Sequence, residues 1–217
     1  MAREKGSSKE FVSILASDGS FRLTVPEGTE GAVKREYTIE EEGKEVKKTK
    51  NEIVFKALSG KVTDVSFVDT KFGTLLQVTV TDEEGDLTIS TNASNNFGTD
   101  LMKKLPAMDF SKDYRLAPFS FEGENGKNIR GFSISSEGIE QGKEAPKATN
   151  FFYDGKKDIN GFPSPKGDVK KYTKNKWKAY FGEVEDFLID YTKENILAKF
   201  AEAPAKPKGK DGGEENF

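Results

Sequence analysis

Five lysines and three aromatic rings alternate in KKYTKNKWKAY, where Lys170, Lys171, Lys174, Lys176 and Lys178 are threaded by Tyr172, Trp177 and Tyr180. A lysine can neutralise a phosphate and a flat ring can stack a base, each stack being worth ~1–3 kcal/mol. Interleaving of this kind suits a single-stranded nucleic acid. The bland reading is a solvated basic face, with Trp177, the only tryptophan, sealing a helix onto the body. Smaller sets repeat the pattern: Lys71 beside Phe72, Arg115 four residues before Phe119, and Arg130 two residues before Phe132, with Lys61 and Lys127 as single phosphate contacts. Phe119, Phe121 and Phe132 also fit a hydrophobic core, whereas Phe72 stands in a polar turn and should be exposed.

Other chemistries find little support. The chain has 217 residues with neither Cys nor His. It therefore lacks a thiolate nucleophile, a disulfide framework, and the side chains that most often move protons or ligate transition metals. A phosphate-binding G-x-x-x-x-G-K-[ST] loop is absent too. Asp64 with Asp69, or Asp82 with Glu83, Glu84 and Asp86, could hold Mg²⁺, but the second set reads better as an acidic hairpin turn. We expect a non-catalytic protein without cofactor or metal.

The elements that must position these residues are mostly strands. FVSILASDGSFRLTV forms two short runs around Ser17-Asp18-Gly19-Ser20, and VKREYTIEEEGKEVKKTK reads as a charged hairpin turning near Gly43. NEIVFKALSGKVTDVSFVD then reads as one long strand kinked at Gly60, followed by TLLQVTVTD and DLTIST. The period changes at NASNNFGTDLMKKLPAMD, which puts Phe97, Leu101, Met102 and Leu105 at helical spacing before Pro106. DYRLAPFSF (113–121) and NIRGFSIS (128–135) complete the series. Strand, strand, strand, helix, strand, strand is the order of an OB-fold, a five-stranded β-barrel that binds oligonucleotides on strands 2 and 3 and through its 1–2 and 4–5 loops. A different small barrel or sandwich with an incidental helix is the alternative. Lys71-Phe72 falls in the 1–2 loop of that scheme, Arg115 and Phe119 on strand 4, Lys127 in the 4–5 loop, and Arg130 and Phe132 on strand 5.

The expected domain spans 1–200: a mainly β body with core about 52–135, N-terminal strands, and a C-terminal helix over 183–200. Between the barrel and that helix runs a Gly/Pro/Lys-rich stretch holding Phe151-Phe152-Tyr153. Residues 201–217, AEAPAKPKGKDGGEENF, have no periodicity and should be a disordered acidic tail. Three acids, Asp211, Glu214 and Glu215, lie in its last seven residues; removing them from 37 leaves 34, matching the 34 Lys and Arg. A neutral body is not the basic footprint of a duplex DNA binder. The terminal Phe217 with its α-carboxylate suits an apolar pocket ringed by Lys or Arg, although a random acidic terminus would also end this way.

An OB-like body, a Pro/Gly/Lys linker and an acidic tail closing on Phe217 resemble the single-stranded DNA-binding proteins of bacteria and tailed phages, above all phage-encoded ones. The bacterial form places Ile-Pro before the last Phe, where this chain has Asn216. The resemblance implies a protein that coats single-stranded DNA during replication, recombination or repair. It also implies a tail (Asp211, Glu214, Glu215, Phe217) that recruits partner enzymes and competes with DNA for the basic groove. The rival is a non-catalytic β-rich phage assembly or interaction protein that binds no nucleic acid. No stretch approaches the ~20 apolar residues that span a bilayer, and MAREKGSSKE lacks a signal-peptide core. A cytoplasmic location without membrane contact, in a bacterial host cell if the protein is phage-encoded, is expected.

Overall fold

The computed structural model describes residues 10–41, 43–124, 126–136 and 147–201. Nine strands form one mixed sheet: β1 (Glu10–Leu15), β2 (Ser20–Val25), β3 (Val33–Glu41), β4 (Lys44–Phe55), β5 (Leu58–Thr70), β6 (Gly73–Thr81), β7 (Asp86–Asn92), β8 (Asp113–Glu122) and β9 (Asn128–Ser136). Their spatial order is β3-β4-β2-β1-β7-β6-β5-β8-β9, antiparallel throughout except where β1 runs parallel to β7. Helix α1 (Asn96–Lys104) follows β7, and α2 (Lys174–Thr192) is the last long helix of the described residues, continuing through a wide turn over Lys193–Leu197 to Ala201.

The series β5-β6-β7-α1-β8-β9 therefore has the expected order, but the sheet is not closed into a barrel. The reason lies at two strand edges. On β7, Leu87–Ile89 are taken by Glu10–Val12 of β1. On β9, the free edge is occupied by other groups: the Phe132 N–H donates to Asp100 Oδ2 (2.6 Å), Lys104 Nζ donates to the Phe132 carbonyl, and the Ala148 N–H donates to the Ile134 carbonyl (2.9 Å). With these groups already paired, β7 and β9 do not hydrogen-bond to each other.

Side chains finish what the ladder does not. Phe132 of β9 lies 6.1 Å from Phe21 of β2 and 6.2 Å from Phe97 of α1, ring centre to ring centre. The β1–β2 turn docks on β8, where Ser120 Oγ donates to the Ala16 carbonyl (2.8 Å). Gly19 in that turn has φ +64°, and a Cβ there would stand 2.5 Å from the Phe119 carbonyl carbon. Only glycine meets both demands. The shared core adds Val12, Leu76, Val78, Ile89 and Leu116 from the sheet to Leu101, Met102 and Leu105 from α1. Each such side chain contributes about 1.5–3 kcal/mol on burial.

Two boundaries differ from expectation. The long run from Asn51 is two strands, since β4 ends at Phe55 and β5 begins at Leu58. Gly60 does sit at a close approach, its missing Cβ 2.4 Å from the Thr81 carbonyl oxygen, but the irregularity of register falls at Val62/Asp64. The C-terminal helix begins at Lys174, well before 183, because Thr173 caps it by accepting the Lys176 N–H (3.3 Å). KKYTKNKWKAY is thus largely the first turns of α2. Among the described residues no helix is long and apolar enough to cross a membrane.

Candidate nucleic-acid interface

The aromatic residues of the 151–187 region divide into a packed set and an open set. Phe152 is buried and meets the rings of Phe151, Phe162, Phe187 and Tyr191 at 4.9–5.5 Å, an aromatic cluster at the α2 side of the shared core. Nearly three turns toward the start of α2 from Phe187, Trp177 stacks on Phe181 (5.5 Å) and meets Tyr172 (4.9 Å) and Tyr180 (5.8 Å). Phe181 remains 58% exposed and Trp177 half-buried. Lys176 Nζ lies 4.3 Å from the centre of the Tyr172 ring, and Lys170, Lys171, Lys174 and Lys178 are exposed around it.

This row of rings borders a cleft of about 530 Å³ between α1, β9 and α2. Its walls include Lys103 of α1, Arg130 of β9, Phe162, and Tyr180, Phe181 and Glu185. Lys103 Nζ stands 5.0 Å from the Phe162 ring centre. Burial holds its ammonium below the ordinary lysine value, with Asp100 and Asp158 pulling the other way. Arg130 donates from Nε to Ser120 Oγ (3.3 Å), its one hydrogen-bond partner among the described residues. Asp100 is committed to the Phe132 N–H and to Lys104 (2.8 Å). Burial, and then Asp186, pushes the Glu185 carboxyl above its ordinary value. The cleft can therefore offer cationic N–H groups to an anion and ring faces to a flat partner.

A second apolar–basic surface lies on the outer face of β8–β9. Arg115 and Phe119 do share that face, and Phe119 packs 5.7 Å from Phe121, which is 54% exposed and opposite Ile129. Phe119 is half-buried because its ring lies over Gly131, where a Cβ would come within 3.0 Å. Lys127, in the turn joining these strands, is exposed.

The remaining candidates stand apart. Lys71 and Phe72 form the β5–β6 turn, with Lys71 Nζ 4.9 Å from the ring centre and Phe72 78% exposed. Register separates them from β8–β9, since β8 pairs only with Leu58–Lys61 at the start of β5. Lys61 is exposed on β5, opposite Asp113 and Thr81. Phe132 must be withdrawn as a stacking platform: it has no exposed surface and lies between Phe21 and Phe97. It shares a face with Arg130 as expected, but that face enters the core at 132 and opens to the cleft only at 130. The acidic set at 82–86 is a turn, in which Asp82 Oδ1 accepts the Glu84 (2.8 Å) and Gly85 (3.0 Å) N–H groups. The tail residues Asp211, Glu214, Glu215 and Phe217 lie outside the described residues.

Sequence reasoning missed Phe181, Lys103, Phe162 and Phe121. Phe181 was within reach, because Trp177 and Phe181 are at i, i+4 spacing once Thr173 is read as a helix cap. Lys103 carried no signal beyond a basic residue near a helix end. No family model, no curated protein and no solved structure matches the chain.

Proposed function

We propose that the protein binds single-stranded DNA without base-specific readout. The observation that carries this reading is the row Tyr172, Trp177, Tyr180 and Phe181, flanked by exposed lysines and running into a cleft that holds Lys103 and Arg130. Stacking rings beside Lys176, which lies over the Tyr172 ring, and Arg130, whose guanidinium meets a hydroxyl, match the chemistry of an exposed base and its phosphate. The order β5-β6-β7-α1-β8-β9 supports a relationship to OB-type folds, and the outer face of β8–β9, with Arg115, Phe119, Phe121 and Lys127, offers a continuation of the track. In this reading the protein is a non-catalytic, cytoplasmic coat for single strands in phage replication, recombination or repair. Its acidic 201–217 segment recruits partner enzymes.

Trp177 supplies the test. Its fluorescence should be quenched on titration with an oligo(dT), with affinity falling as salt rises because bound phosphates release counterions. A duplex of equal length should bind more weakly. Equal or tighter duplex binding, or a tryptophan signal indifferent to both, would sink the proposal.

A further inference from the structure

The two ends of the sheet are finished differently. At one end the edge of β9 is filled by Asp100, Lys104 and Ala148. At the other end lies β3, nine residues long, whose outer edge no strand pairs among the described residues. β4 joins β2 only through Asn51–Phe55, so most of the β3–β4 hairpin stands out as a two-stranded ribbon. A ribbon of this kind is marginally stable in water by itself. One of its faces carries Tyr37, Ile39 and Val46, all half-buried.

An open edge is normally blunted by charge. Here the charges of VKREYTIEE are self-complementary. When β3 is laid antiparallel on a second β3 with Tyr37 on the twofold axis, Lys34 faces Glu40 of the other strand, and Glu40 faces its Lys34. Arg35 then faces Ile39, and Glu36 faces Thr38. Centring on Glu36 sets that acid against itself, and centring on Thr38 sets Glu36 against Glu40. A one-residue slip exchanges the two faces of the strand. Neither Lys34 nor Glu40 makes an ion pair among the described residues, whereas Arg35, Lys48 and Lys50 are already held by Glu52 or Glu41.

We propose that β3 is a dimerisation edge, pairing with β3 of a second copy of this chain across a twofold axis at Tyr37. The two sheets become one, and two ring-and-lysine surfaces are carried on one particle. This inference does not rest on the nucleic-acid reading.

Sedimentation velocity on the full chain over a concentration series reads the outcome, with circular dichroism to check the fold. The wild-type chain should reach twice the monomer mass. Lys34→Glu and Glu40→Lys should each weaken the dimer about tenfold or more, since each sets two like-charge pairs across the axis. The double variant K34E/E40K should restore it, and Glu36→Gln should leave it unchanged. Because the chain has no cysteine, Tyr37→Cys places a single thiol on the axis, where opposed Cα atoms lie ~4.5–5.5 Å apart, within disulfide reach. Oxidised glutathione should convert that variant to a bridged dimer. A wild-type chain that stays monomeric to its solubility limit overturns the proposal. So does a dimer that neither reversal weakens, a double variant no better than the singles, or a Tyr37→Cys chain that does not bridge.

Discussion

Tyr37 and Tyr172 each sit beside two or more cations, yet the two neighbourhoods differ in what the cations are doing. Arg35 and Lys50 both approach the Tyr37 ring to 5.5 Å, but both are bound to the buried carboxylate of Glu52, at 2.8 Å each. Their hydrogen bonds hold Glu52 below its ordinary value. Around Tyr172, Trp177 and the neighbouring cleft, Lys176, Lys103 and Arg130 meet rings or a hydroxyl, and among the described residues none of the three is ion-paired to a carboxylate. A ring next to a base is therefore a poor guide to a phosphate site by itself. What decides is whether the charge has already been spent on an acid inside the fold.

Four changes test that contrast, beginning with the largest expected effect. Phe152→Ala removes the ring that anchors α2, and should cost about 3–5 kcal/mol in denaturant unfolding, the usual range for a fully buried phenylalanine. Oligonucleotide binding should fall with it, because the open rings lose their platform. A variant with unaltered stability would show that this aromatic cluster does not hold α2.

Glu52→Gln should come next, at about 1–3 kcal/mol near neutral pH, the scale of hydrogen bonds to charged groups. The sign of its pH dependence follows from the depressed carboxyl. The stabilisation is fully present above the ordinary value of 4.5, and it is lost as pH falls through the lower value in the folded protein. The gap between wild type and variant should close in acid. If the contrast drawn above is right, the same variant should also bind oligo(dT) somewhat more tightly, since two cations beside Tyr37 are released. Unaltered or weaker binding would show that freeing those charges does not create a site.

The most discriminating pair concerns exposed rings. Phe181→Ala should weaken oligonucleotide binding by ~1–3 kcal/mol, one lost stack, with little change in melting temperature because the ring is largely exposed. Phe72→Ala, at the β5–β6 turn, should leave affinity unaltered. The reverse result would move the interface to the expected 1–2 loop and away from α2.

Much of the framework was legible. Alternation in TLLQVTVTD and DLTIST, the turn at Ser17–Ser20, and the helical spacing of Phe97, Leu101 and Leu105 all report local periods that the backbone must obey. The basic and aromatic composition of 170–180 was equally plain, and the rings it named do cluster. Boundaries were harder. β4 and β5 are both β-branched and apolar, so nothing local marks the two-residue break at Lys56-Ala57.

What the sequence determined by itself is therefore the inventory: a mainly β chain without thiol or imidazole, one helix in the middle, one near the end, and bases interleaved with rings. Tertiary structure decided which rings are surfaces. Phe132 and Phe181 are the same residue type, and one is walled in by Phe21 and Phe97 while the other lies open on α2. It also decided closure, because the edges of β7 and β9 were claimed by β1, Asp100, Lys104 and Ala148, groups distant in the chain. Hydrogen-bond satisfaction at an edge and desolvation of a ring both depend on what arrives from elsewhere, and no local pattern records that.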